Sequence, residues 1–343
     1  MATAKKMPSG NYRVLVFVGF ENGKRKYKSF TAPTKKAAEY AAAQWQLTHT
    51  APTVLDKLTL GEAYDRYIES VSNTLSPSTL REYKSCRRND FPDLMDLKLE
   101  DITQERIQIS INNLASEREP KTVRNKHGLL AAVLHKYKPE LRLDTILPKK
   151  KKTVFYVPSE QQIRLIYDHI KDSNIEIPFL LASQLGLRAS EIAGLQYKHI
   201  DYTRMEIRIE QALVRGEDGN VLKTPKSYAG YRTLPCSKFV LDRIGPAKNP
   251  AQSVVGASGN EMTKRWFRAL HKIETEYFNF HALRHYFASQ GLLQGIPIKY
   301  LTELMGHNSE KMIQEVYGHT FPEAKQEFAL RLAQNTERIF ANS

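Results

Sequence analysis

Apolar and polar positions alternate along residues 11–30, first in NYRVLVFVGF and then in RKYKSF, on either side of ENGK. Alternation of this kind turns one side of a strand to a core, and Asn22–Gly23 between two such runs predicts a β-hairpin. Thr34 then caps a run of good helix formers, KKAAEYAAAQWQ. From about residue 57 the period becomes that of helices. Thr59-x-x-Glu62 is a capping box opening TLGEAYDRYIESV, and Ser76–Pro77 is an N-cap with proline at the first helical position of SPSTLREYKSCRRN. DLKLEDITQERIQISINNLA predicts a third helix. Pro120–Lys121–Thr122 opens a fourth, KTVRNKHGLLAAVLHKY, with Leu129, Leu130, Val133 and Leu134 on one apolar stripe. Pro148 followed by Lys149, Lys150, Lys151 and Lys152 predicts an extended linker, because a run of like charges does not fold on itself. Ser159-x-x-Gln162 caps the next helix. Between Met205 and Pro235 the period returns to two, and MEIRIEQALV, VLKTPKS and YRTLP predict one three-stranded sheet. From Thr263 onward the pattern is helical again.

These changes of period divide the 343 residues into segments 1–52, 53–147 and 154–343, with 148–153 as a linker. The fold class they predict is α+β and multidomain: a small three-stranded β-sheet plus helix, an all-α domain, and a mainly α domain with a small antiparallel β-sheet. Lys plus Arg number 51 against 37 acidic residues, a formal charge of +14, which points to a polyanionic partner. Half of that excess lies in residues 1–50, where nine lysines and arginines face only Glu21 and Glu39. A sheet bearing Arg13, Lys24, Arg25, Lys26 and Lys28, backed by one helix, can read a DNA groove; the alternative is a solvated basic hairpin. Lys121, Arg124 and Lys126 on the polar side of the fourth helix can sit on phosphates or simply face water. The lysine linker would be satisfied lying against a DNA backbone. No apolar run reaches the length of a membrane span, and no secretory signal precedes the first strand. Cys86 and Cys236 are too few for a disulfide framework or a zinc site and suit a reducing, cytoplasmic compartment.

The chemistry-bearing residues lie in the second half. In the run from Phe280 to Thr320, His281 and Arg284 stand three apart and share a helix face. His307 follows Gly306, and Tyr317 comes ten positions later. Upstream, Arg188 lies in LGLRASEIAGL with Glu191 three residues on, and Lys223 and Lys226 precede the turn YAG. A phosphodiester under attack gathers charge on its non-bridging oxygens. Guanidinium forks meet such oxygens with two parallel charge-assisted hydrogen bonds, and fixed donors aimed at developing charge commonly contribute most of an enzyme's rate enhancement. A tyrosine hydroxyl among arginines, histidines and a lysine therefore suits nucleophilic attack on a phosphate. Three plainer readings compete. Arg188 and Glu191 have the spacing of a surface ion pair of little weight. His281 and His285 have the spacing of a zinc pair, but Ala282 stands where a metalloprotease needs glutamate and no third ligand is near. Most tyrosines are packing residues. Which histidine is the general base stays open.

Taken in order, these strings resemble the signature of the tyrosine recombinases, the integrase family of phages and conjugative transposons. The first arginine is Arg188 in its G-x-R-x-S-E-like string, with Glu191 supporting. Then come a lysine before a β-turn, the H-x-L-R-H from His281 to His285, the G-H of Gly306–His307, and Tyr317 in VYGHT. The resemblance implies Arg188, Lys226, His281, Arg284, His307 and Tyr317 as the catalytic set, with Lys223 the alternative general acid. It implies a site-specific recombinase that passes through a 3′-phosphotyrosyl link and uses no cofactor, metal or ATP. Residues 1–52 resemble an arm-type DNA-binding domain, 53–147 a helical core-binding domain, and 154–343 the catalytic domain with a C-terminal tail helix. The implied partner is double-stranded DNA at core-type and arm-type sites, bound by a homotetramer, with room for an excisionase or DNA-bending protein and none for a membrane. Ala324, Phe328 and Leu332 form a stripe that suits docking on a neighbouring protomer or on its own domain. A type IB topoisomerase would share this chemistry, but it needs no second specific site for a basic hairpin. A non-catalytic regulator on the same scaffold would not need every element of the set.

Overall fold

The computed structural model describes residues 3–310 apart from 22–23, 49–57, 152–154, 226–229, 247–248, 274 and 308, and beyond 310 only residues 313, 314, 330 and 334. The chain divides into two units, residues 1–74 with 82–151, and residues 75–81 with 152–343.

The first unit opens with strands β1 (Lys5–Lys6), β2 (Tyr12–Glu21) and β3 (Lys24–Ala32), an antiparallel sheet in the order β1-β2-β3. The expected turn Asn22–Gly23 lies outside the described residues. Helix α1 (Lys35–Thr48) starts where Thr34 Oγ1 accepts from the Ala37 amide at 3.2 Å. It covers one face of the sheet, where Val14, Val16, Ala38 and Ala42 are buried together.

Helices α2 (Leu60–Val71), α3 (Pro77–Asn89), α4 (Pro92–Met95), α5 (Gln104–Glu117) and α6 (Pro120–Tyr137) follow. The Thr59–Glu62 capping box forms as the sequence predicts, with both reciprocal bonds made, at 3.2 and 2.9 Å. The expected third helix is shorter than its string. Residues 96–103 form a turn of 3₁₀ helix and a bend, because Thr103 accepts from the Arg106 amide and so caps α5 well into the string. Tyr64, Ile107, Val123, Leu130, Val133 and Leu134 are fully buried in this unit's second core.

The chain leading into the expected extended linker, and the linker as far as Lys151, touch the helices at a few points. Gln108 exchanges two bonds with the Ile146 backbone, at 2.8 and 3.1 Å. Arg124 Nε donates to the Pro148 carbonyl at 2.9 Å, and Lys151 pairs with Glu119 at 2.9 Å. Lys152 lies outside the described residues.

The second unit runs through α7 (Glu160–Ile170), α8 (Glu176–Leu185), α9 (Ala189–Gly194), β4 (Ile200–Asp201), β5 (Glu206–Ile209), β6 (Ala212–Arg215), β7 (Asn220–Lys223), β8 (Arg232–Pro235), α10 (Lys238–Ile244), α11 (Gly259–Ile273), α12 (Ala282–Leu293) and α13 (Ile298–Met305). Helices α8 and α12 are apolar on nearly every side and pack on each other inside the core. Trp266 of α11 closes that core against Phe179, Phe278 and Phe280, its indole N–H donating to the Phe278 carbonyl at 2.8 Å.

The single sheet expected over 205–235 is two. Strands β4, β5 and β8 form one, in that order, and β6 with β7 forms a separate hairpin. MEIRIEQALV breaks at Glu210–Gln211, where the Gln211 side-chain amide donates to the Gly194 carbonyl at 2.7 Å. Gly194 lies so close to β6 that a Cβ there would sit 2.9 Å from the Ala212 Cα, so only glycine lets the hairpin lie on the end of α9. No helix among the described residues is long and apolar enough to cross a membrane.

Candidate active site

Four of the motif residues are described, and they converge. Arg188 comes just before α9, in extended backbone, rather than projecting from a helix. Its amide donates to Glu191 Oε2 at 2.9 Å while its Nη1 donates to Glu191 Oε1 at 2.7 Å. The pair is an internal cap rather than the surface ion pair its spacing also allows: the Glu191 side chain is only 9% exposed, against 34% for Arg188. Arg284, in the first turn of α12, is more deeply placed still, at 1% exposure. The sequence puts it on a helix face with His281; the structure buries it and leaves His281 at the surface. A charge so placed must be surrounded by acceptors. Arg284 Nη1 donates to the Gly186 carbonyl, and Nη2 to the Met305 carbonyl at 2.6 Å and to His307 Nε2 at 2.6 Å. Gly186 ends α8 in the left-handed conformation (φ 66°), and a Cβ there would strike the Phe287 ring, so this carbonyl is aimed by a glycine that nothing else replaces.

Sequence reasoning misses Arg232. It begins β8 opposite buried Ile209 and shares a strand face with buried Leu234, which is the signal that could have found it: an arginine in register with core residues points inward. Arg232 Nη1 and Nη2 reach Glu191 Oε1 and Oε2 at 3.2 and 2.8 Å, and its Nε donates to the Leu304 carbonyl at 2.8 Å. Arg188 Nη2 in turn donates to the Gly306 carbonyl at 3.0 Å. Three consecutive carbonyls at the end of α13, from Leu304, Met305 and Gly306, therefore each receive a different arginine. A helix C-terminus leaves its last carbonyls without helical partners and carries partial negative charge, so it is a natural seat for cations. Gly306, at φ 61°, ends the helix and turns the chain to His307.

The electrostatics follow from this crowding. Burial opposes the Glu191 carboxylate, but bonds and charge from Arg232 and the charge of Arg188 outweigh it and hold the group down at about 2. Burial, then Arg284 and Arg188, push His307 down to about 3. His281 is lowered to about 4, by desolvation first and by the Arg284 and Arg188 charges next. Because His281 keeps an exposed surface, the two guanidiniums are the firmer cause. Both rings are neutral at pH 7. Arginine can only donate, so the contact with Arg284 makes His307 Nε2 an acceptor and puts its proton on Nδ1. That Nδ1 is buried and has no partner among the described residues. His285 packs edge-on against His281, centroids 4.9 Å apart, and beside Phe155. No group of three candidate metal ligands occurs among the described residues. Next to His281 opens a cavity of about 450 Å³ lined by Phe155, Tyr156, Leu187, Ala189 and Thr263.

Lys226, Tyr317 and the tail stripe Ala324, Phe328 and Leu332 lie outside the described residues. Lys223 ends β7, half-buried. Of the expected DNA contacts, Arg13 and Arg25 are exposed, on the sheet face away from α1, together with Leu15, Phe17 and Tyr27. Phe17 and Tyr27 meet edge to face there, centroids 5.6 Å apart, a pair that the run of basic residues gives no reason to expect. Lys28 pairs with Val16 and sits over the Trp45 ring at 4.7 Å, on the helix side, while Lys26 pairs with Gly19. Lys24 opens β3. Lys126 is 19% exposed and paired with Asp90 at 2.8 Å. Lys121, Lys149 and Lys150 are exposed.

The chain matches the Phage integrase family over residues 157–324 and the phage integrase N-terminal SAM-like domain over residues 59–115. It is 25% identical to a XerC-like tyrosine recombinase of Caldanaerobacter subterraneus subsp. tengcongensis, over 92% of this chain and 93% of that one. It is 29% identical to the integrase of Salmonella phage P22, over 57% of this chain and 50% of that one. Among solved structures, the Tn1549 transposon integrase in complex with transposon right end DNA superposes with a TM-score of 0.65 at 18% identity, over 80% of this chain and all of that one. A lambda integrase dimer bound to a core site gives 0.59 at 18% identity, over 93% of this chain and 95% of that one. At these identities the structural likeness is one of fold.

Proposed function

The chain belongs to the phage integrase family of tyrosine recombinases, and from that premise we propose that Tyr317 opens a DNA strand at a phosphate held by Arg188 and Arg284. The observation that carries this is the charge of the cluster. The cluster holds three guanidiniums and a single carboxylate, and the neighbouring histidines are neutral, so the pocket is short of negative charge until an anion enters. Arg188, the most exposed of the three, still has donors to give. His307, its Nε2 occupied by Arg284, serves as a donor to a phosphate oxygen through Nδ1–H. That leaves His281, neutral at pH 7, to accept the tyrosine proton. Tyr317 forms a 3′-phosphotyrosyl link, and Lys226 protonates the departing 5′ oxygen. A 5′ hydroxyl from a partner strand then attacks the link and restores the diester. The bond energy stays in the link, so no nucleotide is consumed.

The test is incubation with a duplex nicked near the crossover point, which traps the link. A covalent protein–DNA band should appear on a denaturing gel, undiminished by EDTA and without ATP. A magnesium requirement for cleavage itself would sink the reading.

We assign residues 53–147 and the lysine linker after them to gripping the core site, with exposed Lys121, Lys149 and Lys150 on phosphates. Residues 1–52 are assigned to a separate arm-type site, read through the open sheet face of Arg13, Leu15, Phe17, Arg25 and Tyr27. Integration and excision of a mobile element by four protomers in the cytoplasm follow from this assignment; the lambda integrase tetramer bound to a Holliday junction shares the fold. Deleting residues 1–52 should spare cleavage at the core site and erase the distant footprint on long DNA. Identical footprints for the two proteins would return the basic sheet to a solvated surface.

A further inference from the structure

Arg232 is absent from the lining of the cavity beside His281, and its side chain is only 7% exposed. Its Nε is fixed on the Leu304 carbonyl at 2.8 Å, which sets the plane of the guanidinium so that both terminal nitrogens face Glu191. Glu191 takes four donors in all, the amide and Nη1 of Arg188 and the two ends of the Arg232 fork. A fork lying square on a carboxylate is the stronger of these claims. We propose that Arg232 is a positioning residue of the strand-cleavage reaction, which takes up the charge of Glu191 so that Glu191 can aim Arg188 without neutralising it. The inference rests on the reading of Arg188 as a phosphate clamp.

The reason is charge balance in a confined space. With Arg188 and Glu191 alone, the pair is neutral, and an arriving phosphate must compete with a buried carboxylate for the same guanidinium. With Arg232 added, the trio carries one net positive charge. Glu191 is matched from the protein side by a residue whose two terminal nitrogens are both turned to it. Arg188, the one member with a third of its side chain exposed, keeps its charge for the phosphate. The geometry also separates the jobs of the two arginines along the chain. Arg188 is local to Glu191, three residues away, whereas Arg232 comes from β8.

One mutation acquires an unusual sign from this arrangement. In Arg232→Met, Glu191 falls to Arg188 alone, and single-turnover cleavage of a nicked duplex at saturating DNA should drop on the order of a hundredfold, the usual loss of one fixed donor. DNA affinity, set mainly by contacts elsewhere, should change less than about threefold. Adding Glu191→Gln to that variant should speed cleavage at least about tenfold, because the glutamine oxygen still accepts one of the two Arg188 bonds and the side chain no longer cancels its charge. Coupling of this sort is what a double-mutant cycle reads. A double variant no faster than R232M, or an R232M within about threefold of wild type, overturns the proposal. If R232M does not fold, E191Q/R232M is compared with E191Q, since neither leaves a carboxylate unmatched. A ratio within about threefold supports action through Glu191, and a ratio near a hundred overturns it. Wild-type protein that forms no covalent band counts against the reading of the site; a band from wild type and R232M alike counts against Arg232 alone.

Discussion

Tyr317→Phe is expected to abolish the covalent protein–DNA band and recombination while leaving DNA affinity within about twofold of wild type. Phenylalanine keeps the ring and removes only the oxygen that bonds to phosphorus. No neighbouring group replaces a lost nucleophile, so the fall should be on the order of 10⁴ or more. The chain has 17 tyrosines, and the prediction singles out one by its place after Gly306–His307. The arginine cluster reaches that corner, with Arg188 on the Gly306 carbonyl and Arg284 on His307. The measurement is band intensity against time on a nicked duplex, with binding followed by gel shift. Adduct at the wild-type level would remove Tyr317 from its role.

Arg284→Ala is expected to slow cleavage by roughly two to three orders of magnitude and also to lower stability, two losses with separate causes. The first is the loss of a fixed positive charge beside the phosphate site, on the order of 3–4 kcal/mol of transition-state stabilisation. The second comes from the carbonyls of Gly186 and Met305 and from His307 Nε2, all of which accept from this guanidinium and would be left in a buried space. Each unsatisfied group costs roughly 1–3 kcal/mol, softened where water enters the space left by the side chain. The melting temperature should therefore drop by several degrees, and cleavage should be read well below it. Arg284→Lys keeps the charge but has one donor head where three acceptors lie apart, so it should recover stability more than rate. A cleavage rate within about tenfold of wild type in a folded Arg284→Ala protein would return Arg284 to a purely structural role.

Local signals carry far in the sequence because the interactions behind them are local. The capping boxes at Thr59 and Ser159 span three residues, and both form. Pro77 and Pro120 begin α3 and α6 because a proline nitrogen has no hydrogen to lose there. Arg188, His281, Arg284 and His307 are legible through their strings, and the structure brings them together. What escapes is set by distant partners. Glu191 looks like half of a surface pair because Arg232, 41 residues on, cannot be seen from LGLRASE. The partner of Lys126 is out of sight because Asp90 lies just past the end of another helix. The division of MEIRIEQALV between two sheets depends on the close approach of Gly194 to β6, which no period in the string reports.

The three arginines are seated on main-chain oxygens, and that settles how the site tolerates change. No replacement of the side chains at Leu304 or Met305 deletes a carbonyl, so any change there that still packs in the core keeps the acceptors where they are. Fragility is concentrated instead in the donors and in the stop signal. An arginine lost empties one seat. A residue at 306 that cannot hold the left-handed conformation lets the helix run on, and all three seats move at once. Substitutions at 186, 188, 232, 284 and 306 are therefore expected to disturb this corner most, and those at the side chains between 298 and 305 that do not face the core least.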